Sequence, residues 1–346
     1  MYYKVKALAA AGIKIVLHYF DYHDRDISPL TPYCIEINAY KRKSILQCRS
    51  LALPYIICSR INERLITRLN EDEFPVLLEG LHCAGVLPYL QKQSRVKLRM
   101  HNDEAVYYHS LAALEKNSLK KRYFSLEAKR LQQFQSRMQK DIGIFCLAET
   151  DMHILQQKHQ FKALHFVPCF IPWQQVSGQT GKGNYCLYHG NLAVSENEAA
   201  ALWLIKNVFS QTKIPFVIAG NGISAELRSV ANNQKHIKLL NNLPVDELNG
   251  VIRDAHINIL PSVNNTGVKL KLLHAVLEGR FCITNDNGIN GSGISGVHVA
   301  NTPEAYIRLV EDLYKQDFTS DHIAERKAVE VLYNNKANAE KLIRLL

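Results

Sequence analysis

The chain has 346 residues, of which 47% are apolar and 21% are charged, a composition typical of a globular protein that buries a sizeable core. No run of about 18 uninterrupted apolar residues occurs, which argues against a transmembrane helix. The eight cysteines are scattered without a C-x-x-C pair or a His/Cys cluster. Their distribution favours buried, reduced thiols in the cytoplasm and argues against a zinc site.

The net charge of +10 is concentrated in the first half of the chain. Residues 1–172 carry 25 Lys and Arg against 16 Asp and Glu, whereas residues 173–346 carry 17 against 16. This asymmetry suggests that the first half meets an anionic membrane surface, a polyanionic substrate or nucleic acid; a solvated basic face explains it equally well. Nucleic acid is disfavoured, because no recognition motif with interleaved aromatic residues is present.

Short β-branched apolar runs alternate with helical patterns, which predicts βα units on parallel sheets. The opening MYYKVKALAAAGIKIVLHYF is interpreted as a helix and then a strand, because Lys14 breaks the apolar run and no cleavage-like site follows. Strands of the first half are predicted at 13–20, 33–40, 75–81, 96–102, 142–148 and 164–169. Those of the second half are predicted at 184–190, 214–220, 236–243, 256–262, 280–286 and 296–301.

The Gly/Gln/Ser/Thr-rich segment FIPWQQVSGQTGKGN (170–184) lacks periodicity and is predicted to be a linker. The expected architecture is α/β, with two Rossmann-like doubly wound domains facing a cleft. They span residues 1–172 and 173–318, and closing helices over 319–346, capped by Ser320 or Asp321, are candidates to pack back on the first domain. A doubly wound domain normally begins with a strand, so the first strand is missing from the domain or lies upstream of the recorded start.

Ligands of open α/β sheets bind outside the carboxyl ends of strands, and three such ends in the second half are polar or Gly-rich. The first two loops contain, in chain order, His189, Gly190 and Asn191, and then Gly220, Asn221 and Gly222. Ser195 and Glu198 are predicted to form a capping box after the first loop. The glycines of the second loop permit close backbone approach to a ligand, although tight-turn chemistry alone explains such a pair more often.

The third end is TGVKLKLLHAVLEG (266–279), predicted to form the first turns of a helix. Helical spacing predicts a polar stripe and an apolar stripe: Gly267, Lys271, His274 and Glu278, and Leu270, Leu273 and Leu277. A helix N-terminus offers unpaired N–H groups and a positive dipole end, and Lys271 adds a charge suited to phosphate. The stretch therefore predicts a phosphate site, with an ordinary amphipathic helix carrying solvated lysines as the alternative.

HINILPSVNNTGVKLKLLHAVLEGRFCITND resembles the donor-binding segment of GT-B glycosyltransferases of the retaining family 4 (group 1) type. FVIAGNG and KLLNNLPVDELNGVIRDAHINILPS are similar to the same family's second domain, and the resemblance covers most of residues 184–300. It is looser in LLEGLHCAG and KLRMHNDEAVYY, which look like acceptor-side loops. The resemblance implies a hexosyl-type transferase that moves a sugar from a nucleotide-sugar to a glycan or lipid-linked acceptor with retention, in bacterial surface polysaccharide synthesis, without a metal or other cofactor.

The resemblance also implies roles for particular residues. The donor-binding candidates are His189, Gly190, Asn191, Gly220, Asn221, Gly222, Thr266, Gly267, Val268, Lys269, Lys271 and His274. The catalytic candidates are Glu79, His82 and Lys271. The acceptor-side candidates are His101, Asn102 and Glu104. A single His at a strand end, such as His82, is structural at least as often as it is functional.

The sequence departs from the family pattern at its charged positions. Thr266 and His274 stand where the family typically has two Glu residues, and the second of these usually holds the nucleotide ribose. Asn191 and Glu196 stand where many members carry an Arg and a Lys. We therefore expect His274 to take over the ribose contact, and Lys269 and Lys271 to replace the missing phosphate cations.

The predicted helix at 118–140 carries seven Lys and Arg against one acidic residue, Glu127. Leu119, Tyr123, Leu126, Arg130 and Phe134 approximate one stripe. A basic amphipathic helix can lie on an anionic membrane, which would make the protein cytoplasmic and peripheral at the inner face of the cell membrane. A helix packed on its own sheet with a solvated basic face is the alternative.

Three other functions compete with glycosyl transfer. A nucleotide-sugar epimerase needs acid/base residues facing the sugar and no acceptor site. A degenerate sugar-nucleotide-binding protein is favoured by the missing Glu pair. A nicotinamide-dependent dehydrogenase is the weakest reading, because no G-x-G-x-x-G follows a first strand.

Overall fold

The computed structural model describes residues 1–21, 26–48, 50, 52–115 and 117–346. The chain divides into two compact units. Unit 1 comprises Met1–Ala112, Asn117–Pro172 and Tyr333–Leu346, and unit 2 comprises Trp173–Leu332 with a short stretch that begins at Ala113. Within the described part of the chain, no helix is both long and apolar enough to span a membrane.

The described residues form twelve strands, and every pairing between these strands is parallel. They are β1 (Val16–Asp21), β2 (Glu36–Lys41), β3 (Val76–Glu79), β4 (Val96–Met100), β5 (Gly143–Cys146), β6 (Leu164–Phe166), β7 (Cys186–His189), β8 (Phe216–Gly220), β9 (Ile237–Asn241), β10 (Ile257–Ile259), β11 (Phe281–Thr284) and β12 (His298–Val299). Each overlaps one of the predicted strands, so the alternating βα pattern is confirmed along the chain.

The helices fall between these strands and after them. They are α1 (Tyr2–Ala10), α2 (Tyr55–Cys58), α3 (Glu63–Asn70), α4 (Glu104–Leu114), α5 (Ser118–Arg137), α6 (Glu149–His159), α7 (Ser195–Leu204), α8 (Ala225–Asn232), α9 (Val245–Asp254), α10 (Leu270–Glu278), α11 (Asp286–Ile289), α12 (Pro303–Lys315), α13 (Ser320–Glu325), α14 (Lys327–Leu332) and α15 (Asn335–Leu345). The long basic helix predicted at 118–140 is α5.

Unit 1 contains two separate parallel sheets, with the orders β2-β1 and β3-β4-β5-β6. No strand found in the described residues joins these two sheets. Helix α1 packs on α15, where Leu8 joins a small core with Phe145, Val167, Ala339 and Leu342. The last helix therefore belongs to unit 1, whereas α13 and α14 belong to unit 2.

Unit 2 is one six-stranded sheet in the order β12-β11-β10-β7-β8-β9. From the central strand β7 the chain first builds outward to β9 and then returns to build from β10 to β12. The direction of winding therefore reverses between β7 and β10. In open α/β sheets this reversal is the point at which ligands bind.

The predicted capping box of Ser195 and Glu198 is wrong. Helix α7 begins at Ser195 itself, Val194 precedes it, and no side chain caps it. The turn starts earlier because Asn191 Oδ1 accepts the Ala193 N–H at 3.2 Å.

The predicted caps at Ser320 and Asp321 are also wrong. Thr319 is the N-cap of α13, and its backbone N–H donates to Nδ1 of His322 at 3.0 Å in a capping box. A His thus takes the third-residue role that is usually filled by Glu or Gln. All eight cysteines are free, as expected, but Cys34, Cys48 and Cys83 are only half-buried.

Candidate functional site

The candidate donor residues of unit 2 gather at the switch point of its sheet. His189 is the last residue of β7, and the loop that contains Thr266, Gly267, Val268 and Lys269 follows β10, the strand beside it. Contrary to expectation, these loop residues are not helical, since α10 begins only at Leu270. Gly267 has φ +65°, a left-handed conformation incompatible with a helical turn.

Lys271 lies in the first turn of α10 and reaches back over β7. Its Nζ donates to Tyr188 Oη at 3.1 Å and to Asn197 Oδ1 at 3.0 Å, and it lies 4.7 Å from the centre of the Tyr188 ring. Burial, assisted by the charge of Lys269, lowers the pKa of Lys271 to about 8. Both hydrogen-bond acceptors are neutral groups, so the ammonium charge is available to an anion.

The loop after β10 is organised by Asn264, a residue that the sequence analysis did not single out. Its Oδ1 accepts from the Thr266 N–H at 3.2 Å and from Lys269 Nζ at 2.6 Å. Its Nδ2 donates to Glu196 Oε2 at 2.6 Å. Asn264 therefore ties the loop to α7 and holds Lys269 apart from the contacts of Lys271.

His189 is 4% exposed, and its Nε2 is buried without a hydrogen-bond partner among the described residues. Its ring meets that of His274 edge to face at 6.0 Å. Burial, together with the charges of His274 and Lys271, lowers the pKa of His189 well below its usual value. A buried imidazole nitrogen without a partner is costly, and such a group beside a helix N-terminus is a ligand candidate.

His274 is almost fully enclosed. It is 6% exposed, its ring stacks on Trp173 at 3.9 Å, and its Nε2 donates to Glu278 Oε2 at 3.2 Å. Burial lowers the pKa of His274, while the hydrogen bond to Glu278 opposes that shift. His274 and Glu278 share one face of α10, as the predicted polar stripe requires, but Gly267 of that stripe lies outside the helix. Trp173 is a partner that helical spacing could not reveal.

The glycines of the first two loops bring those loops together. A Cβ on Gly220 would lie 1.9 Å from the carbonyl oxygen of Gly190, and one on Gly222 would lie 2.7 Å from the Cβ of Ala193. The backbone carbonyl of Asn221 accepts a hydrogen bond from the Ala193 N–H at 3.1 Å. The close backbone approach expected here is thus made between two segments of the chain. It holds in place the edge of the strand-end site, which is the cluster around His189, Lys271 and His274 at the carboxyl ends of β7 and β10.

A cavity of about 360 Å³ lies elsewhere in unit 2, at the opposite end of the strands. It is lined by residues at the amino ends of β7 and β8 and along β9, including Tyr185, Phe216 and Lys238. None of the candidate donor residues lines it.

In unit 1, Glu79 and His101 come together at the carboxyl ends of β3 and β4. His101 Nε2 donates to Glu79 Oε2 at 2.9 Å, and Lys4 of α1 pairs with the other carboxylate oxygen. Burial alone would raise the pKa of Glu79, but the charge of Lys4 and the hydrogen bond from His101 hold it well below its usual value. Neither Lys4 nor this pairing was evident from the sequence.

His82 folds back over Gly80. A Cβ on Gly80 would lie 2.4 Å from His82 Cε1, and Gly80 has φ +86°, so a side chain is excluded there twice over. Burial, assisted by the charge of Arg60, lowers the pKa of His82 to about 4. His82 is therefore a neutral imidazole near pH 7.

The acceptor-side candidates Asn102 and Glu104 lie at the start of α4. Asn102 Oδ1 is buried without a hydrogen-bond partner among the described residues, and burial raises the pKa of Glu104. The helix itself is capped by Asp103, whose Oδ1 accepts from the Ala105 and Val106 N–H groups at 3.0 and 3.2 Å. Asn102 and Glu104 are thus not needed to start the helix.

The chemistry of the two sites differs. The strand-end site of unit 2 offers cations, an uncapped helix N-terminus and a buried imidazole, a set suited to a phosphate group. The residues at the carboxyl ends of β3 and β4 in unit 1 offer imidazoles and carboxylates, a set suited to hydroxyl groups. Within the described ranges, no group of three or more His, Cys, Asp or Glu side chains is placed to hold a metal ion.

Comparison with known sequences finds a family that unit 2 resembles. Residues 183–316 match the family model described as "Glycosyl transferases group 1". The chain is also 28% identical over 252 residues to an uncharacterized 44.6 kDa protein in the cps region of Klebsiella pneumoniae. That match covers 70% of this chain and 64% of the Klebsiella protein.

Comparison with solved structures establishes the fold. The UDP-forming alpha,alpha-trehalose-phosphate synthase of Burkholderia xenovorans, in complex with glucose-6-phosphate, aligns with a TM-score of 0.59 at 10% identity, over 82% of this chain and 75% of its own. A mutant of S. aureus TarM, in complex with fondaparinux, alpha-GlcNAc-glycerol and UDP, aligns with a TM-score of 0.56 at 10% identity, over 81% and 57%.

These likenesses confirm the α/β fold class with parallel sheets that was expected from the sequence. The family match agrees with the glycosyltransferase class expected from the sequence, and it covers the whole strand-end site except Trp173. Residues 183–316 of the chain are thus similar to the group 1 glycosyltransferase family.

Proposed function

We propose that the protein transfers a hexosyl group from a nucleotide-sugar to a hydroxyl group of a glycan or lipid-linked acceptor, with retention of configuration, in bacterial surface polysaccharide synthesis. The family domain and the relative from the cps region of Klebsiella pneumoniae support this function. The observation that carries it is Lys271, whose ammonium lies half-buried at the switch point with only neutral hydrogen-bond acceptors.

In this proposal the diphosphate of the donor binds at the N-terminus of α10. Lys271 supplies the main charge, and Gly267 and Val268 supply a non-helical backbone that leaves the first turn open. Lys269 is held by Asn264 and Thr266, so its contribution is a more distant field. Many family members carry cations at the positions of Asn191 and Glu196, and in this proposal the two lysines replace those cations.

The ribose contact is assigned differently from the family pattern. Because His274 is enclosed by Trp173, His189 and Glu278, its imidazole has little surface left for a ligand. We infer that His274 supports the donor pocket without contacting the donor. The unpartnered Nε2 of His189 makes the contact instead.

The proposed reaction takes place on one face of the sugar. The acceptor hydroxyl oxygen bonds to the anomeric carbon as the bond from that carbon to the diphosphate breaks, and the hydroxyl proton passes to the leaving phosphate. The protein then serves mainly to position the reactants and to stabilise negative charge on the diphosphate. Lys271 and α10 stabilise the charge, while Glu79, His82 and His101 belong to the acceptor side.

The function is tested by supplying UDP-, GDP- and ADP-linked hexoses with a lipid extract from a capsulated bacterium, and by determining the anomeric configuration of the product by ¹H NMR. We expect transfer from one donor with its configuration retained, and slow sugar release without acceptor. An inverted product would contradict retention. A free epimer would identify an epimerase, and binding without turnover would identify a degenerate binding protein.

Replacing Lys271 by Ala is expected to weaken binding of the preferred nucleoside diphosphate about tenfold or more. The reason is that a hydrogen bond to a charged group contributes about 1.5–3 kcal/mol. Isothermal titration calorimetry with UDP, GDP and ADP measures the change, and the exposed Lys213→Ala is the matched control. A change within about twofold would show that Lys271 is not a phosphate ligand.

The pH dependence of binding provides a further readout of the same charge. In the free site the pKa of Lys271 is about 8, and an anion raises it by favouring the ammonium form. Affinity is therefore full below pH 8 and falls as the pH rises through that value. Lys271→Arg keeps its charge at these pH values and should lose this decline.

We further propose that α5 docks the protein on an anionic membrane at the cytoplasmic face. Leu119, Tyr123 and Leu126 are 79%, 38% and 46% exposed, while the opposite side of the helix, which includes Ala128 and Leu131, is buried. Basic side chains flank the exposed apolar stripe, so the helix presents an amphipathic surface outward. The surface complements lipid head groups in charge and acyl chains in polarity.

Charge reversal of Lys120, Lys121 and Arg122 to Glu is expected to abolish sedimentation with vesicles that contain 30% phosphatidylserine, since each basic residue contributes about 1 kcal/mol near such a surface. The same reversal at the exposed Lys206, Lys213 and Lys235 is the control and should leave sedimentation unchanged. If the unaltered protein does not sediment at low salt, α5 is a solvated helix instead.

A further inference from the structure

Lys4 carries a buried charge. It lies outside the residues that match the family model, and it is not among the site residues that the sequence predicted. It lies in α1 and is 5% exposed, whereas Lys6, two residues further along the same helix, is exposed. A lysine is rarely buried to this extent unless it is paired. Its partner is Glu79, whose side chain is 15% exposed.

Glu79 uses both carboxylate oxygens. Oε1 pairs with the Lys4 ammonium, and Oε2 accepts from Nε2 of His101 at 2.9 Å. The His101 side chain is 42% exposed, so the ring reaches from a buried carboxylate to the surface. With its proton on Nε2, the ring presents an unprotonated Nδ1 that can accept a hydrogen bond.

The charge balance explains the presence of Lys4. A buried carboxylate without a cation would either take up a proton or draw one onto the neighbouring imidazole. Arg99 also acts on Glu79, but one of its Nη groups donates to the Pro168 carbonyl at 2.7 Å and it makes no direct contact with the carboxylate. The amino group of Met1 also acts on Glu79 but forms no ion pair with it, so direct neutralisation of the carboxylate falls to Lys4.

We propose that Lys4 is a positioning residue for the acceptor side. By pairing with Glu79 it keeps His101 a neutral imidazole with the proton on Nε2, and the free Nδ1 accepts a hydrogen bond from the hydroxyl group of the acceptor. The hydroxyl partner rests on the proposed glycosyl transfer. The state of His101 is a property of unit 1 alone.

The direct test is the ¹⁵N NMR spectrum of histidine-labelled protein at pH 7.5, with His101 assigned from His101→Gln. We expect the neutral Nε2–H pattern in the unaltered protein and in the control Lys6→Met. In Lys4→Met the His101 signals should change to the imidazolium pattern, or lose the Nε2–H preference, and Lys4→Arg should restore them. An unchanged His101 spectrum in Lys4→Met would overturn the inference.

Activity provides the second readout. Lys4→Met should lower transfer to the lipid extract at least about tenfold while donor hydrolysis stays within about twofold, because the donor site lies in unit 2. If Lys4 acts through Glu79, the double variant Lys4→Met/Glu79→Gln should equal Glu79→Gln alone; additive losses would contradict this. The double variant leaves neither Lys4 nor Glu79 as an unpaired buried charge, so it serves if Lys4→Met does not fold.

The two proposals fail separately. If no sugar is transferred by the unaltered protein, the proposed function is wrong, and the NMR comparison still decides whether Lys4 sets the state of His101. If transfer occurs and Lys4→Met leaves both readouts unchanged, the role of Lys4 is wrong and the function stands.

Discussion

The ammonium of Lys271 lies half-buried at the switch point of a parallel sheet, where no described carboxylate forms an ion pair with it. Tyr188 and Asn197 fix its position with hydrogen bonds, but neither neutralises its charge. The nearby carboxylate of Glu196 accepts from Asn264 through Oε2, and it raises the pKa of Lys271 without forming an ion pair with it. Keeping a charge without a counter-ion away from water costs free energy. Binding of an anion offsets this cost, so the donor binding proposed for unit 2 depends on this charge.

The two units handle buried charge in opposite ways. In unit 2 a cation lies beside a helix N-terminus, so the site has an excess of positive potential that a diphosphate would neutralise. In unit 1 the buried carboxylate of Glu79 already has Lys4 as its counter-ion, and the partly exposed His101 adds a polar ring beside it. An anionic donor suits the first environment and hydroxyl groups suit the second. This division agrees with the group 1 glycosyltransferase domain in unit 2.

The parts of the fold that follow from local pattern could be predicted, including all twelve strands and the helix stripe of His274 with Glu278. Errors arose where one residue settles a boundary. Gly267, in a left-handed conformation, delays α10 to Leu270, which is consequently 51% exposed rather than part of the apolar stripe. The partners of the site residues were missed because they are distant in sequence: Tyr188 lies 83 residues from Lys271, and Lys4 lies 75 from Glu79. Sequence spacing reports neighbours on one helix or strand, and it contains no information on such contacts.

The central claim, that the nucleoside diphosphate binds at the switch point, is tested most directly by hydrogen–deuterium exchange with and without saturating UDP, GDP or ADP. Binding at the switch point predicts slower exchange in peptides covering residues 188–197 and 262–274, which carry His189, Asn197 and Lys271. Slower exchange confined to residues 214–218 and 236–240 would place the ligand in the cavity at the amino ends of the strands. That result would contradict binding of the nucleoside diphosphate at the switch point.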